Sequence, residues 1–338
     1  MTCLDSHRLR SVIVLTTLAV LLTALPALAD EAAKEPRTGE VTFTPVEDEA
    51  TAVPEAFQLE EHSFPFEQEF LSTASKRIEI SEVTFPSPVE TPHSNNNTVH
   101  AEYFRPLSEG QHPGVIVLHI LGGDFDLSRL VARQLASNGV AALFIKLPYY
   151  GPRKEPGVEI AMVDTDPHQT VKGFTQAVLD IRRGAAWLAA QEEVDPEQLG
   201  ITGISLGGIT TSLAAAGEPR FKKICPILAG GDIVRVSAES PEAAVFREQW
   251  IADGGTIEEL VEVLRPIDPV THADRVKGRK IMMINARYDE VVPPACTESL
   301  WHAFGEPEIH WYDAGHYSFA RFIFDALGKA TRFFQPVQ

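Results

Sequence analysis

Cysteine is scarce in this chain: 338 residues contain 3, at positions 3, 225 and 296. So few thiols exclude a disulfide-stapled scaffold and a cysteine-built zinc centre, both of which need clustered sulfurs. Cys225 closes an apolar, strand-like run and Cys296 opens a helix-like one, so both read as free thiols. Positive charge is also in short supply. Lys and Arg total 29 against 47 Asp and Glu, a net charge of −18. Such a chain is repelled by phosphate backbones and anionic lipid surfaces, which argues against nucleic acid as a partner. The histidine-and-carboxylate pattern of a zinc-binding helix is missing too. No metal and no cofactor is expected.

One long apolar run is present, Val12 to Leu25. It follows His7, Arg8 and Arg10 and closes on Ala27-Leu28-Ala29, the small-residue pattern of a cleavage site. Residues 1–29 therefore read as an export signal, giving a periplasmic or extracellular protein with no stable membrane insertion after cleavage. An uncleaved membrane anchor is the alternative, since the run approaches the shortest length that spans a bilayer. Residues 30–70 then carry 12 acidic and 2 basic residues with scattered proline and little periodicity. The expectation for 30–74 is an acidic linker or loosely packed arm. What remains, 75–338, has the length of one α/β domain with a sizeable core.

Within that domain the most informative segment is Gly203-Ile204-Ser205-Leu206-Gly207-Gly208. Leu199 to Thr202 reads as a buried strand, and Leu206 to Ala216, rich in Leu and Ala, reads as a helix. A sharp turn between them forces Ser205 into a strained backbone, tolerable where its neighbours two before and two after have no side chain. The helix beginning there aims its first N–H groups at the serine, so the Leu206 N–H is a candidate oxyanion donor. A serine hydroxyl needs a histidine base, and the histidine needs a carboxylate to fix its tautomer. His316 follows the alternating run Glu308 to Asp313 and is preceded by Gly315. Asp289 follows the apolar run 279–285, with Glu290 and Asp313 as rival carboxylates. The chain order Ser205, Asp289, His316 suits a parallel sheet, whose loops converge at the carboxyl ends of its strands.

Further strands are predicted near 76–85, 98–105, 114–119, 140–146 and 222–228. With 199–204, 279–285 and 307–313 they make eight. Helices are predicted at 126–138, 168–192, 206–216, 295–304 and 318–334, so the sheet should be mostly parallel and covered on both faces. The first two strands should pair as an antiparallel hairpin at one edge. The segment 230–274 has helical apolar spacing and reads as a small helical cap. After the early strand 114–119, the turn Ile120-Leu121-Gly122-Gly123 should supply the second oxyanion donor, the Leu121 N–H, with the neighbouring Ile120 and Gly122 N–H groups as alternatives.

These residues together resemble the α/β-hydrolase superfamily, and within it the dienelactone hydrolase-like and acetyl xylan esterase-like members, over residues 75–335. The resemblance rests on the Ser205 turn, the segment 285–293 around Asp289, Ala314-Gly315-His316, and the turn after His119. It implies an α/β-hydrolase fold and a serine hydrolase acting on small-molecule or carbohydrate esters, with short acyl groups favoured. Dienelactone hydrolases proper use a cysteine where this chain has Ser205, which favours ester hydrolysis. The early turn also lacks the common His-Gly-Gly pattern. Rival readings are a catalytically silent binding protein on the same fold, or a peptidase or thioesterase.

Several residues are candidates for shaping the substrate site. Tyr149 and Tyr150 leave a central strand on the catalytic edge, and Trp250, Phe246 and Leu260 lie in the cap; packing of the cap onto the body is the alternative for these three. Arg153 and Lys154 could attract an anionic substrate, against the plainer role of solvated loop charges. Asn96-Asn97-Thr98 has the form of a glycosylation sequon, but it sits in an asparagine-rich turn and is read as incidental.

Overall fold

Every second side chain of the strand His112–Leu118 (β5) packs on the same side. Ile116 and Leu118 belong to one buried cluster, Val115 and Val117 to another. This period of two, with both sides apolar, is the mark of a strand covered on both faces. The computed structural model describes residues 35–46, 52–123 and 125–336; the expected export signal lies outside them. Among the described residues ten strands form one sheet: Arg37–Phe43 (β1), His62–Ala74 (β2), Ile78–Pro86 (β3), Thr98–Pro106 (β4), β5, Ala141–Ile145 (β6), Val194–Ile204 (β7), Phe221–Ile227 (β8), Lys280–Ala286 (β9) and Glu308–Tyr312 (β10). Their order is β1-β2-β3-β4-β6-β5-β7-β8-β9-β10. From β6 to β10 neighbours run parallel, and β1 to β4 are antiparallel.

The α/β architecture agrees with the sequence reading, and each of the eight expected strands is present. Two more precede them. The segment 30–74 was expected as a linker or loose arm, yet its described residues include β1 and β2, which carry the antiparallel part of the sheet past β3. The β3–β4 hairpin is accordingly inside the sheet and not at its edge. Net charge misled here because only Glu40, Glu67 and Glu69 of the segment's 12 acids lie in the two strands, each on an exposed position. Along β2, Phe64 and Phe66 are buried while Glu67 and Glu69 are exposed.

The main helices are Asp126–Ser137 (α1), Pro167–Ala189 (α2), Leu206–Gly217 (α3), the cap helices Ile233–Glu239 (α4), Ala244–Ala252 (α5) and Ile257–Leu264 (α6), then Pro294–Ala303 (α7) and Ile323–Phe334 (α8). Helices α2 and α3 cover the face that holds Ile116 and Leu118; α1 and α8 cover the other. The cap lies within the predicted insertion. Its helix α6 begins with a full capping box, the Thr256 hydroxyl accepting from the Glu259 N–H while the Glu259 carboxylate accepts from the Thr256 N–H, which satisfies end groups the helix leaves unpaired.

Strand β1 is anchored by Phe43. Its ring is fully buried, and the guanidinium groups of Arg182 and Arg220 lie 4.9 and 5.0 Å from its centroid. Both arginines also pair with the buried Glu218 carboxylate, so the ring completes the cover over a charged cluster. Phe43→Ala should therefore cost about 3–5 kcal/mol of unfolding free energy in urea titrations. A change under about 0.5 kcal/mol, the value for an exposed position, would mean that β1 does not support the domain.

Candidate active site

Strand β7 ends at Ile204, and Ser205 caps α3 with φ 56° and ψ −116°. A non-glycine residue at positive φ away from the left-handed helical region is strained by about 1–3 kcal/mol. Close backbone packing holds it there. A Cβ on Gly203 would stand 2.5 Å from the Gly207 carbonyl oxygen, and one on Gly207 would stand 2.7 Å from the carbonyls of Leu118 and His119. The Ser205 N–H donates to the Ile227 carbonyl at 2.9 Å, so three adjacent strands, β5, β7 and β8, fix the turn.

The two partners arrive from the carboxyl ends of β9 and β10. His316 Nε2 is 3.0 Å from Ser205 Oγ, and its Nδ1 is 3.0 and 2.9 Å from the two carboxylate oxygens of Asp289. Asp289 is buried, and its Oδ1 also accepts from the Val291 and Val292 N–H groups at 2.9 and 2.7 Å. Nδ1 therefore donates to the acid, which leaves Nε2 to accept the serine proton. The three residues singled out from the sequence are brought together in the required series.

The rival carboxylates have other tasks. Glu290 accepts from the His316 N–H at 2.9 Å, and a Cβ on Gly315 would stand 2.4 Å from its Oε2. Two further bonds, Arg287 N–H to Tyr312 O and Tyr288 N–H to Ala314 O, each 2.9 Å, tie the same loops together. Glu290 thus positions the histidine loop. Asp313 is exposed and pairs with Arg287 at 3.1 Å.

Leu206 is the first residue of α3, and Leu121 lies in the turn after β5; both border the space beside Ser205. His119 anchors that turn. Its Nδ1 donates to the Ile120 carbonyl at 2.7 Å, and its Nε2 accepts from the Leu147 N–H at 3.0 Å. Bonded this way the ring is neutral, and burial pushes its pKa down to about 4. The ring packs between Phe125 and Tyr150, with centroids 5.0 and 4.7 Å away.

Two cavities meet at Ser205. One, about 160 Å³, runs beneath the cap and is walled by Phe174, Ile209, Val236, Phe246 and Leu260. The other, about 330 Å³, contains His316 and is lined by Ile120, Tyr317 and Phe319. The Tyr317 hydroxyl donates to Glu242, a cap residue bordering both cavities. That bond is the main cause pushing the Tyr317 phenol up to about 12.

Five expected substrate contacts, Tyr149, Tyr150, Trp250, Arg153 and Lys154, are absent from these walls. Tyr149 is buried with φ 65°, its N–H held by Asn96 Oδ1 at 3.0 Å. Tyr150 packs on His119. Trp250 folds back over Gly255 and donates from Nε1 to the Thr256 carbonyl at 2.8 Å, closing the cap on itself. Arg153 is fully buried, paired with Asp180 at 2.8 Å and donating to the Asn96 and Lys146 carbonyls, so it attracts no ligand. Lys154 is exposed. Phe246 and Leu260 do line the cap cavity. Asn96 is buried and bonded to Gln176, in keeping with an incidental sequon, and Cys225 and Cys296 are buried free thiols. Among the described residues no cluster of three or more His, Cys, Asp or Glu is arranged to hold a metal ion.

An α/β sheet with serine, histidine and carboxylate bonded in series after β7, β10 and β9 places the protein among the α/β hydrolases. The chain belongs to the family described as Alpha/beta hydrolase domain containing 18, whose model matches residues 67–239, just over half of it. The model of the Prolyl oligopeptidase family matches 174–317, a span that includes Ser205, Asp289 and His316. An uncharacterised protein of Mycobacterium tuberculosis (strain H37Rv) is 31% identical over 175 residues, 51% of this chain and 41% of its own length. The match thus spans less than half of that curated relative. Acetyl xylan esterase 1 from Thermoanaerobacterium sp. JW/SL YS485 superposes with a TM-score of 0.63 at 20% identity, covering 86% of this chain and 95% of that one. An acetyl xylan esterase from Paenibacillus sp. R4 gives 0.60 at 22% identity, covering 77% and 88%. At such identities the likeness is one of fold.

Two outcomes follow from the hydrogen bonds of the site. The folded pKa of His119 lies below the unfolded value of 6.5, so the unfolded chain takes up the proton first and stability is lost as pH falls from about 6.5 to 4, by about 3 kcal/mol. The drop in unfolding free energy between pH 7 and pH 4 should be smaller by about that amount in His119→Gln; equal drops would show that His119 is not neutral by burial. Glu290→Gln should lower kcat far less than Asp289→Asn, for which a loss on the order of 10⁴ is expected from the wrong histidine tautomer. Equal losses in steady-state assays would assign the orienting role to both acids.

Proposed function

We propose that the protein is an exported serine esterase that cleaves carboxylic esters of small molecules or carbohydrates through an acyl-enzyme intermediate. The observation that carries this reading is the unbroken series from Ser205 Oγ through His316 to Asp289, beside the first N–H groups of α3. Ser205 Oγ attacks the ester carbonyl while His316 Nε2 takes its proton. The developing oxyanion is held by the Leu206 and Leu121 N–H groups. His316 then returns the proton to the departing alcohol as the C–O bond breaks. Water repeats the sequence, with His316 taking its proton, to release the acid and restore the serine. Asp289 keeps the imidazole oriented and stabilises its charged form. No cofactor takes part in this sequence. The acetyl xylan esterases that share the fold support a short acyl group and a carbohydrate alcohol, and the signal-like pattern in residues 1–29 supports export.

Ester hydrolysis is favoured over the silent-binding reading because a binding protein has no use for a strained serine aligned with a buried His-Asp pair. Hydrolysis of p-nitrophenyl acetate and butyrate tests it. Ser205→Ala and His316→Ala should each lower kcat by a factor on the order of 10⁴ to 10⁶ while leaving the folded structure intact. Activity that persists in Ser205→Ala would overturn the mechanism, and an inactive wild-type protein that no serine-reactive phosphonate labels would favour the binding protein.

A further inference from the structure

We infer that the cavity beneath the cap is the acyl pocket of this site and that it selects acyl chains longer than acetyl, while the alcohol leaves by the cavity on the His316 side. The inference rests on the esterase reading above and departs from it in acyl length: the fold shared with acetyl xylan esterases supports a short acyl group, and the walls of this cavity support a longer one. Its first support is chemical. The leaving oxygen must receive its proton from His316 Nε2, so the alcohol portion lies on the side of the serine where that nitrogen is found. His316 borders the second cavity and not the first. The substituent on the carbonyl carbon points the other way, into the space bordered by Leu206 and by Ile209, one turn further along α3.

The second support is the state of the polar groups in that space. Thr170 Oγ1 is committed to the Asp164 carbonyl, the Asp164 carboxylate to the Ala161 and Asp166 N–H groups, Ser237 Oγ to the Val234 carbonyl, and Arg247 to the Ser237 and Ala238 carbonyls. These groups face nearby backbone; of the others at the cavity, Glu242 is held by the Tyr317 hydroxyl and Thr165 lies at the exposed margin. A sugar ring placed there would lose its hydrogen bonds to water and find few replacements, whereas an alkyl chain loses nothing. Phe174, Ile209, Val236, Phe246 and Leu260 supply the apolar wall. Each methylene transferred to it should raise kcat/KM about fourfold, up to the length at which the cavity is filled.

Isomeric esters test the assignment in the wild-type protein. Ethyl hexanoate and hexyl acetate have the same atoms, with the long chain on opposite sides of the carbonyl. After correction for their rates of alkaline hydrolysis, ethyl hexanoate should be cleaved at least tenfold faster in kcat/KM. Equal rates, or faster cleavage of hexyl acetate, would overturn the inference without touching the Ser205 mechanism, which fails only if Ser205→Ala retains activity. Filling the space from the half-buried Val236 gives the second arm. Val236→Trp should lower kcat/KM for p-nitrophenyl hexanoate at least tenfold and for the acetate less than threefold. A proportional loss on both, in a variant with unchanged thermal unfolding, would overturn the assignment.

Discussion

The turn at Ser205 is the constraint on which the rest of the site depends. It brings a helix N-terminus against the carboxyl ends of three parallel strands at backbone contact distance, and it does so where Gly203, Gly207 and Gly208 have no side chain. A Cβ on Gly208 would stand 2.6 Å from the Ile227 carbonyl oxygen, as those on its two companions would meet Gly207, Leu118 and His119. The closeness has a chemical result. Because Gly207 lies against the end of β5, the turn that follows His119 is held beside the serine. Ser205 and the turn after β5 are therefore placed by one packing event. The strain at Ser205, of order 1–3 kcal/mol, is offset by the two cores that clamp the sheet from both sides.

The neighbouring carboxylates Asp289 and Glu290 show how adjacent residues of like charge are separated by geometry. Asp289 turns inward, accepts two N–H groups of its own loop and faces the imidazole. Glu290 reaches across to the backbone of the histidine loop. One acid acts on the ring and the other on the chain that carries it. The charge-assisted bond to the His316 N–H fixes where the imidazole starts, and the bond to Nδ1 fixes where it points.

The central sheet, the order of the three site residues and the position of the cap were legible because each has a local signature: apolar runs of strand length, glycines flanking a serine, a glycine before a histidine. Much of what escaped was set by contacts distant in sequence. Strands β1 and β2 are hidden by the acidity of the segment around them, although in β2 the alternation of Phe64 and Phe66 with Glu67 and Glu69 carries the signal. Tyr149, Tyr150 and Arg153 leave the catalytic edge of β6 as expected, but Asn96 and Asp180, far apart in the chain, draw Tyr149 and Arg153 into the protein interior, and His119 holds the ring of Tyr150. Trp250 sits where its indole N–H finds the Thr256 carbonyl, and no pattern within the helix announces that bond. The role of Glu290 was equally invisible, since a carboxylate that serves a backbone N–H looks in sequence like one that serves a ring.

The cap gives the arrangement its electrostatic character. An oxyanion is stabilised most where water is absent and the donors are already aimed, because the field of an N–H group is weakened by the solvent around it. In this site Leu206 opens toward an apolar cavity in which Thr170, Ser237 and Arg247 are bonded to nearby backbone and Glu242 to the Tyr317 hydroxyl, so an acyl chain lying there would expel the remaining water from one side of the proposed oxyanion donors. On the other side Tyr317, next to His316, reaches Glu242 of the cap. Under the proposed esterase mechanism, hydrophobic selection of the acyl group and stabilisation of the charge that forms on it would be two consequences of the same wall, and a substrate too short to fill the cavity would leave water beside the donors and forfeit part of both.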